Sequence, residues 1–143
     1  MSDTSSIDYR YLSPVEKLIE RAPAFTKGGI RYWIFWAKKN GLDKALIKID
    51  RNVYVDIRAF NRWLSEGKNR EVDYRKLRTI KQVLQTSHIK ESKLRHWLQY
   101  AKFNGLEQAI VRKNPRKLLI DIECFNTWLA NRNSNNGYRS VMS

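Results

Sequence analysis

The hydrophobic residues of this chain follow two patterns that alternate along its length. In some segments apolar side chains recur every three or four residues, which predicts amphipathic α-helices. In others, β-branched and aromatic residues stand together in short runs, which predict strands. The helical pattern predicts helices over residues 13–21, 26–40, 56–64, 73–84, 90–104 and 121–130, and the strand pattern predicts hairpins with tips at Asp50-Arg51-Asn52 and Asn114-Pro115-Arg116-Lys117.

The boundaries of these helices carry specific end signals. Ser13, followed by Pro14 and Glu16, predicts the start of the first helix, with Ser13 as its N-cap. Thr26 is the N-cap predicted for the second helix, and Asn40-Gly41 predicts its end. At the helix that follows the first hairpin, Asp56 is the predicted cap.

The same pattern occurs twice. The segment IRYWIFWAKKNGLDKALIKI, from Ile30, returns as LRHWLQYAKFNGLEQAIVRK, from Leu94, which is 64 positions later. The matches from Asp56-Ile57 to Trp63-Leu64 are 65 positions apart, so one residue is inserted between the two blocks, where we expect a turn to absorb it. Two copies are too few for a solenoid, and the repeat therefore predicts two small related domains in tandem.

The composition shifts along the chain set the expected domain boundaries. We expect a flexible arm at 1–12, a first repeat at 13–66, a polar linker at 67–72, a second repeat at 73–130 and a disordered tail at 131–143. Within the repeats, the tryptophans of the helical stripes are expected in the cores and Cys124 is expected to be half-buried; these tryptophans are Trp33, Trp63, Trp97 and Trp128.

Each repeat is thus predicted as helix, short connector, helix, hairpin and closing helix. The expected fold is mainly α with short β-hairpin wings, in the order of two tandem winged helix-turn-helix domains. The segment FTKGGIRYWIFWAKKNGLDKALIKIDRNVYVDIRAFNRWL resembles the small MerR-like and excisionase-like DNA-binding domains of prokaryotic mobile elements. The matching residues are Thr26, the wing strands Val53-Tyr54-Val55-Asp56 and Leu118-Leu119-Ile120-Asp121, and the closing helices from Phe60 to Leu64 and from Phe125 to Leu129.

The chain departs from the family pattern at a few positions. Asp50 and Pro115 stand at the wing tips, where the family has glycine, and Lys90 stands where the first copy has Thr26. The resemblance implies a DNA-binding domain with a recognition helix and a wing, and these departures predict wings of different shape in the two copies.

The charge of the chain agrees with a nucleic-acid partner. It carries 28 Lys and Arg against 14 Asp and Glu, a formal net charge of +14. A folded, aromatic-rich chain of this charge is typical of proteins that bind a polyanion. The single Cys124 excludes an intrachain disulfide, and with only two histidines a structural zinc site is not expected.

The remaining composition narrows the class further. No catalytic constellation or phosphate loop is recognisable, so we expect no enzyme activity, cofactor or metal. No segment approaches the length of an apolar membrane span, and the N-terminal MSDTSSIDYRY is not a signal peptide. We therefore expect a cytoplasmic protein, associated with the nucleoid when bound to DNA.

A turn of about 100° per residue places the basic side chains of each second helix opposite its apolar stripe. On these faces we expect contacts to base edges from Arg31, Phe35, Arg95, His96 and Gln99. We expect contacts to phosphates, or from the wings, at Thr26, Lys27, Gly28, Lys38, Lys39, Arg51, Lys90, Lys93, Lys102, Lys113, Arg116 and Lys117. For Phe35 two partners stay open, a thymine methyl group and the neighbouring domain.

The function expected from these features is sequence-specific binding of double-stranded DNA. The chain would regulate transcription in a phage or mobile genetic element, reading two non-identical half-sites alone, as a homodimer or as a cooperative assembly. An excisionase-like factor that bends DNA for a recombinase is the alternative that uses the same domain. An RNA-binding module and a protein-interaction module are two further alternatives.

Overall fold

The computed structural model of the chain describes residues 7–114 and 117–135. Within these ranges the fold is mixed α/β, with eight α-helices and two small antiparallel sheets of three strands each. The chain divides into two compact units, Met1–Arg75 and Lys76–Ser143. The helical content agrees with the expected predominance of α-structure, whereas the predicted two-stranded wings are wrong because each sheet has a third strand.

Unit 1 contains four helices and one sheet. Its sheet has the order β1-β3-β2, and all neighbouring strands are antiparallel. In chain order the elements are a 3-10 turn Tyr9–Tyr11, β1 Leu12–Pro14, α1 Val15–Glu20, α2 Lys27–Phe35, α3 Ala37–Asn40, a 3-10 turn Leu42–Ala45, β2 Leu46–Ile49, β3 Asn52–Asp56 and α4 Ile57–Leu64.

Unit 2 repeats this order, and its sheet has the order β4-β6-β5. A 3-10 turn Tyr74–Lys76 precedes it. Its elements are β4 Leu77–Arg78, α5 Ile80–Gln85, α6 Glu91–Gln99, α7 Ala101–Asn104, a 3-10 turn Leu106–Ala109, β5 Ile110–Asn114, β6 Lys117–Asp121 and α8 Ile122–Asn135.

The third strand of each sheet extends the repeat toward its N-terminal side. Leu12 pairs with Asp56 in unit 1, and Leu77 pairs with Asp121 in unit 2. Strands of two or three residues are too short to show an alternating pattern, so the hydrophobic pattern did not predict them. The predicted flexible arm is therefore wrong for residues 9–12, which form a turn and the start of β1; residues 1–6 lie outside the described residues.

A short sequence match marks these added segments. Asp-Tyr-Arg occurs at Asp8 and again at Asp73, and in both places the aspartate pairs with the arginine two residues later, at 2.6 Å and 2.7 Å. The arginine guanidinium lowers the pKa of Asp8 to about 2 through its hydrogen bonds. The repeat thus begins before the helical pattern that first reveals it.

Two predicted helix starts are wrong for the same reason. Ser13 lies in β1, and α1 begins at Val15 without a side-chain cap. In unit 2, α5 begins at Ile80 and not near Asp73, and Thr79 forms a capping box with Gln82. The strand that pairs with the hairpin takes the residues at which the helix was expected to begin.

The predicted polar linker at 67–72 is also more ordered than its composition suggests. Val72 is fully buried, and its backbone N–H donates to Ser65 Oγ at 2.6 Å. Tyr74 is buried beside Phe60, with 5.8 Å between the ring centroids, and burial raises the pKa of its hydroxyl. These residues belong to the core of unit 1.

Each predicted long second helix is broken near its C-terminal end. The break falls at Trp36 in unit 1 and at Tyr100 in unit 2. Asn40 Nδ2 donates to the Trp33 carbonyl at 3.2 Å, and Asn104 Nδ2 donates to the Trp97 carbonyl at 3.1 Å. An unbroken helix would pair each of these carbonyls with the N–H four residues on, so the asparagine side chain replaces a helix bond at the bend.

The Asn-Gly-Leu match that follows is explained by the same contacts. In unit 1, Asn40 Oδ1 accepts from the backbone N–H of Leu42 at 2.9 Å, while Trp63 Nε1 donates to the Asn40 carbonyl at 2.8 Å. Gly41 has a φ of 88°, in the left-handed region that favours glycine. The corresponding bonds occur in unit 2 at 2.9 and 2.8 Å, and Gly105 has a φ of 87°. The predicted helix stop at Asn40-Gly41 is confirmed.

The aspartate cap of each closing helix has the same geometry. Asp56 accepts from the N–H groups of Arg58 and Ala59, and Asp121 accepts from the corresponding two groups in unit 2. The inserted residue lies in β5 and not in a turn, because the register shifts by one residue between Val111 and Asn114. Such a bulge accommodates an extra residue without disrupting the flanking pairs.

The two cores differ at their tryptophan pairs. Trp33 and Trp63 are buried in unit 1, as predicted, whereas Trp97 and Trp128 are only half-buried and pack against the core of unit 2. Helix α8 continues to Asn135, so the predicted disordered tail is wrong for residues 131–135 and its remainder lies outside the described residues. Cys124 is half-buried on this helix, as expected.

Candidate nucleic-acid interface

Helix α2 presents a basic face because its opposite face is held in the core. Ile30 and Trp33 are 2 % and 7 % exposed, while Arg31, between them in sequence, is exposed. Across from Arg31, the tip of the hairpin β2–β3 carries Arg51, and Asp50 makes the tight turn there with a φ of 57°. Aspartate tolerates this left-handed conformation better than most residues.

Arg31 and Arg51 line one open groove. Its volume is about 460 Å³, and its other walls come from the start of α1 and from β3, including Glu16 and Tyr54. The structure thus brings together one predicted helix residue and one predicted hairpin residue. Among the described residues neither arginine has an ion-pair partner, which leaves both guanidinium groups available to an anion.

The other predicted residues of unit 1 surround this groove or continue along the helix. Lys27, Lys38 and Lys39 are exposed, and Lys39 Nζ lies 5.1 Å from the centroid of the Trp36 ring. Thr26 is the N-cap of α2, as predicted, and its hydroxyl accepts from the Gly29 N–H at 3.0 Å. Gly28 is exposed in the first turn, and an added Cβ there would meet no protein atom within 4 Å.

Helix α6 in unit 2 has a different charge arrangement on the corresponding face. Arg95 is exposed, but its Nε donates to Glu91 Oε2 at 2.7 Å. His96 is also exposed and lies 4.9 Å from the Tyr100 ring, while Gln99 is exposed in the last turn. The predicted phosphate residues Lys90, Lys93 and Lys102 are all exposed.

The hairpin of unit 2 also carries a paired arginine. Arg112 donates to both carboxylate oxygens of Glu107, at 2.8 and 3.1 Å, and this hydrogen bonding raises the pKa of its guanidinium. Lys117 is exposed and Lys113 is half-buried, whereas the predicted Arg116 lies outside the described residues. This hairpin therefore offers less free positive charge among its described residues than the sequence alone indicates.

Sequence reasoning missed several residues of these faces. Glu91 stands four positions before Arg95, a spacing that brings side chains together on a helix and could have indicated the pair. It also missed a set of exposed aromatic side chains, which are Tyr32, Trp36, Tyr100 and Phe103. Their outward positions on the helical wheel could have found them.

The described residues give no sign of a metal centre or of a membrane segment. No group of three or more His, Cys, Asp or Glu lies close enough to hold a metal ion in the described part of the chain. Nor does any helix within it combine the length and apolar character that crossing a bilayer requires. The polar chemistry of the two units is therefore mainly that of exposed cations.

Comparisons with known proteins add no relative. No protein-family model and no curated protein matches the sequence, and no solved structure matches the fold.

Proposed function

We propose that this chain binds double-stranded DNA sequence-specifically through two tandem winged helix-turn-helix units. The observation that carries the proposal is the groove shared by Arg31 of α2 and Arg51 of the hairpin tip. A helix that reads the major groove and a hairpin that follows the adjacent backbone would place basic side chains on one side of a unit in this way. The buried stripe of α2 supports the same orientation, because it leaves Arg31 facing away from the core.

The cations of unit 1 support an electrostatic role. Each phosphate neutralised by a lysine or arginine releases counterions, which makes binding favourable and dependent on salt. The described cations of this face without an ion-pair partner in the described ranges are Lys27, Arg31, Lys38, Lys39 and Arg51. Arg31 would pair with a guanine edge, and the lysines would contact phosphates.

The two units would read different half-sites. The exposed side chains at aligned positions differ in chemistry, with Phe35 against Gln99 and Tyr32 against His96. Glutamine pairs with the N6 and N7 of adenine, whereas arginine prefers guanine. A chain that carries both faces would therefore bind an asymmetric site without a second copy.

The biological role proposed with this activity is transcriptional regulation in a phage or mobile genetic element, without catalysis. It rests on the resemblance of both repeats to MerR-like and excisionase-like domains. Selection of bound duplexes from a random DNA pool by the full chain tests the activity directly. We expect an asymmetric consensus with two recognisable halves.

Variants of the two aligned arginines then assign each half. Arg31→Ala and Arg95→Ala should each weaken binding by about 1–3 kcal/mol and relax base preference in a different half of the selected site. Arg62→Ala, on the exposed side of α4, removes the same charge and serves as the matched control. If both variants bind like the control, α2 and α6 are not the recognition helices.

Competition experiments separate the other classes of partner. Displacement of bound duplex by single-stranded RNA at equal salt would point to an RNA-binding module. Binding that is absent, or unchanged between about 50 and 200 mM salt, would point to a protein-interaction module, because binding to phosphates weakens steeply over this range.

A further inference from the structure

The candidate interface contains apolar side chains that a purely electrostatic surface does not require. Phe35 is 77 % exposed and Phe103 is 88 % exposed, on the outward sides of α2 and α7. Exposed rings of this size are uncommon unless they contact a partner. Both lie on the side of their unit that also carries the exposed cations.

In unit 1 the ring is held in place by its neighbours. Phe35 meets Trp36 edge to face, with 5.0 Å between centroids and an interplanar angle of 90°. The Trp36 ring is in turn flanked by Lys39 Nζ at 5.1 Å and by Tyr32 at 6.4 Å between ring centroids. Beside it, Phe35, Trp36, Lys38, Lys39 and Leu46 are among the residues that line an open groove of about 450 Å³.

Unit 2 carries a related arrangement one helical turn further along. Phe103 occupies the position aligned with Lys39, and the aligned partners of Tyr32 and Trp36 are His96 and Tyr100. His96 and Tyr100 contact each other with 4.9 Å between ring centroids. Both units therefore present aromatic surface between exposed lysines, although the phenylalanine stands at different positions.

The charge around these rings decides what they bind. A second copy of a chain with a net charge of +14 would bring cations against cations, whereas a polyanion is attracted. An apolar group must also face the ring. In the major groove of DNA the only such group is the methyl group at C5 of thymine, to which phenylalanine side chains make apolar contact.

We propose that Phe35 and Phe103 bind the 5-methyl groups of pyrimidines in the major groove. This inference rests on the proposed function, since it needs α2 and α6 to face duplex DNA. The methyl group has two sources, thymine and 5-methylcytosine. Phe103 gives unit 2 an apolar reader that sequence reasoning did not assign, and Phe35 takes a base partner and not the neighbouring domain.

The spacing of the readers specifies where the methyl group lies. Phe35 follows Arg31 by four residues, and Phe103 follows Gln99 by four residues. Four residues of helix advance about 6 Å, which corresponds to about two base-pair steps. Unit 1 therefore selects a methylated pyrimidine near a guanine, and unit 2 selects one near an adenine.

The test removes single methyl groups from the selected duplex and leaves all hydrogen-bonding groups unchanged. Replacing the relevant thymine by deoxyuridine should weaken binding of the unaltered chain about four-fold, the effect expected for one buried methyl group. Phe35→Ala should bind the thymine and deoxyuridine duplexes of half-site 1 equally, and Phe103→Ala should do so for half-site 2. Tyr9→Ala, which removes an aromatic ring that is 81 % exposed outside α2 and α3, should keep the full discrimination.

A second arm distinguishes the two sources of the methyl group. The same position is changed to cytosine and to 5-methylcytosine; a four-fold gain on methylation assigns recognition to the methyl group itself, and a gain with thymine alone assigns it to that base. Equal discrimination by the unaltered chain and by both phenylalanine variants would overturn the inference. A chain that binds no duplex at all would instead overturn the proposed function.

Discussion

The two units pack an equivalent pair of tryptophans in different ways. In unit 1, Phe25 covers Trp33 edge to face at 5.5 Å, and both tryptophans of the pair are buried. In unit 2 the position aligned with Phe25 is Ile89, and Arg132 from the extended end of α8 lies 5.3 Å from the Trp128 ring. A buried ring is thus replaced by an exposed cation, which shows that the duplicated core tolerates different solutions at its edge.

The outward faces differ in the sign of one charge. Lys27 opens α2 four residues before Arg31, and Glu91 opens α6 four residues before Arg95. The carboxylate holds Arg95 in an ion pair and repels phosphates, whereas Lys27 adds to the field around Arg31. We infer that unit 1 contributes most of the salt-dependent affinity and that unit 2 contributes more through selective base contacts.

The largest expected effect is on the stability of unit 1. Phe25→Ala should destabilise it by about 3–5 kcal/mol, because a buried ring is removed from a packed cluster. Arg132→Ala should destabilise unit 2 by only about 0.5–1 kcal/mol, since an exposed cation over a ring contributes little. Amide hydrogen exchange of the full chain measures both units separately. Phe25→Leu is the control that keeps an apolar side chain, and equal destabilisation by Phe25→Ala and Arg132→Ala would contradict the comparison.

The charge difference predicts opposite effects on DNA affinity. Lys27→Glu should weaken binding to random-sequence duplex about ten-fold, and Glu91→Lys should strengthen it. The slope of log affinity against log salt should become shallower or steeper by about 0.9 for each phosphate that the variant ceases or begins to neutralise. The double variant, which exchanges the two charges at constant net charge, should bind random duplex within a factor of about two of the unaltered chain. Changes of the same sign in both single variants would remove the assigned division between the units.

The aspartate caps should respond alike in the two units. Asp56→Ala and Asp121→Ala each remove an acceptor from two backbone N–H groups, so each should destabilise its unit by about 1 kcal/mol. Thermal unfolding of each variant, with its unit assigned by hydrogen exchange, measures the two effects. Asn substitutions retain an acceptor and should recover most of the stability. A large destabilisation of one unit alone would show that the cap is not equivalent in the two copies.

The smallest expected effect is a dependence on acid at the start of unit 1. Because Arg10 lowers the pKa of Asp8 from 3.8 to about 2, ionised Asp8 stabilises the folded state. This contribution is fully present above pH 4 and disappears as the pH falls toward about 2. Asp8→Asn should therefore reduce the change in unfolding midpoint between these two pH values, as measured by denaturant titration. An unchanged difference would show that the pair does not contribute to folding.

The repeat and most helix faces could be predicted because both depend on local periodicity. The buried positions Trp33 and Trp63, the cap at Asp56 and the stop at Gly41 follow from patterns within a few residues. The break at Trp36 could not, because it depends on the side chain of Asn40 reaching the carbonyl of a residue seven positions earlier.

The candidate site could be predicted in its composition but not in its pairing. The helical wheel places Arg31 and Arg95 outward, and both are exposed. That Arg51 lines the same groove as Arg31 depends on how the hairpin folds back toward α2, which no local pattern encodes. The neutralisation of charge at Arg112 likewise depends on Glu107 in the preceding 3-10 turn.

The asparagine bond at each bend has a consequence for engineering. The atoms that determine the backbone there belong to Asn40, Trp63 and their counterparts Asn104 and Trp128, none of which is fully exposed. The outward positions between them can consequently be randomised or transplanted from one copy to the other without disturbing the scaffold. A library confined to those positions would give two independently variable reading surfaces on a chain of 143 residues.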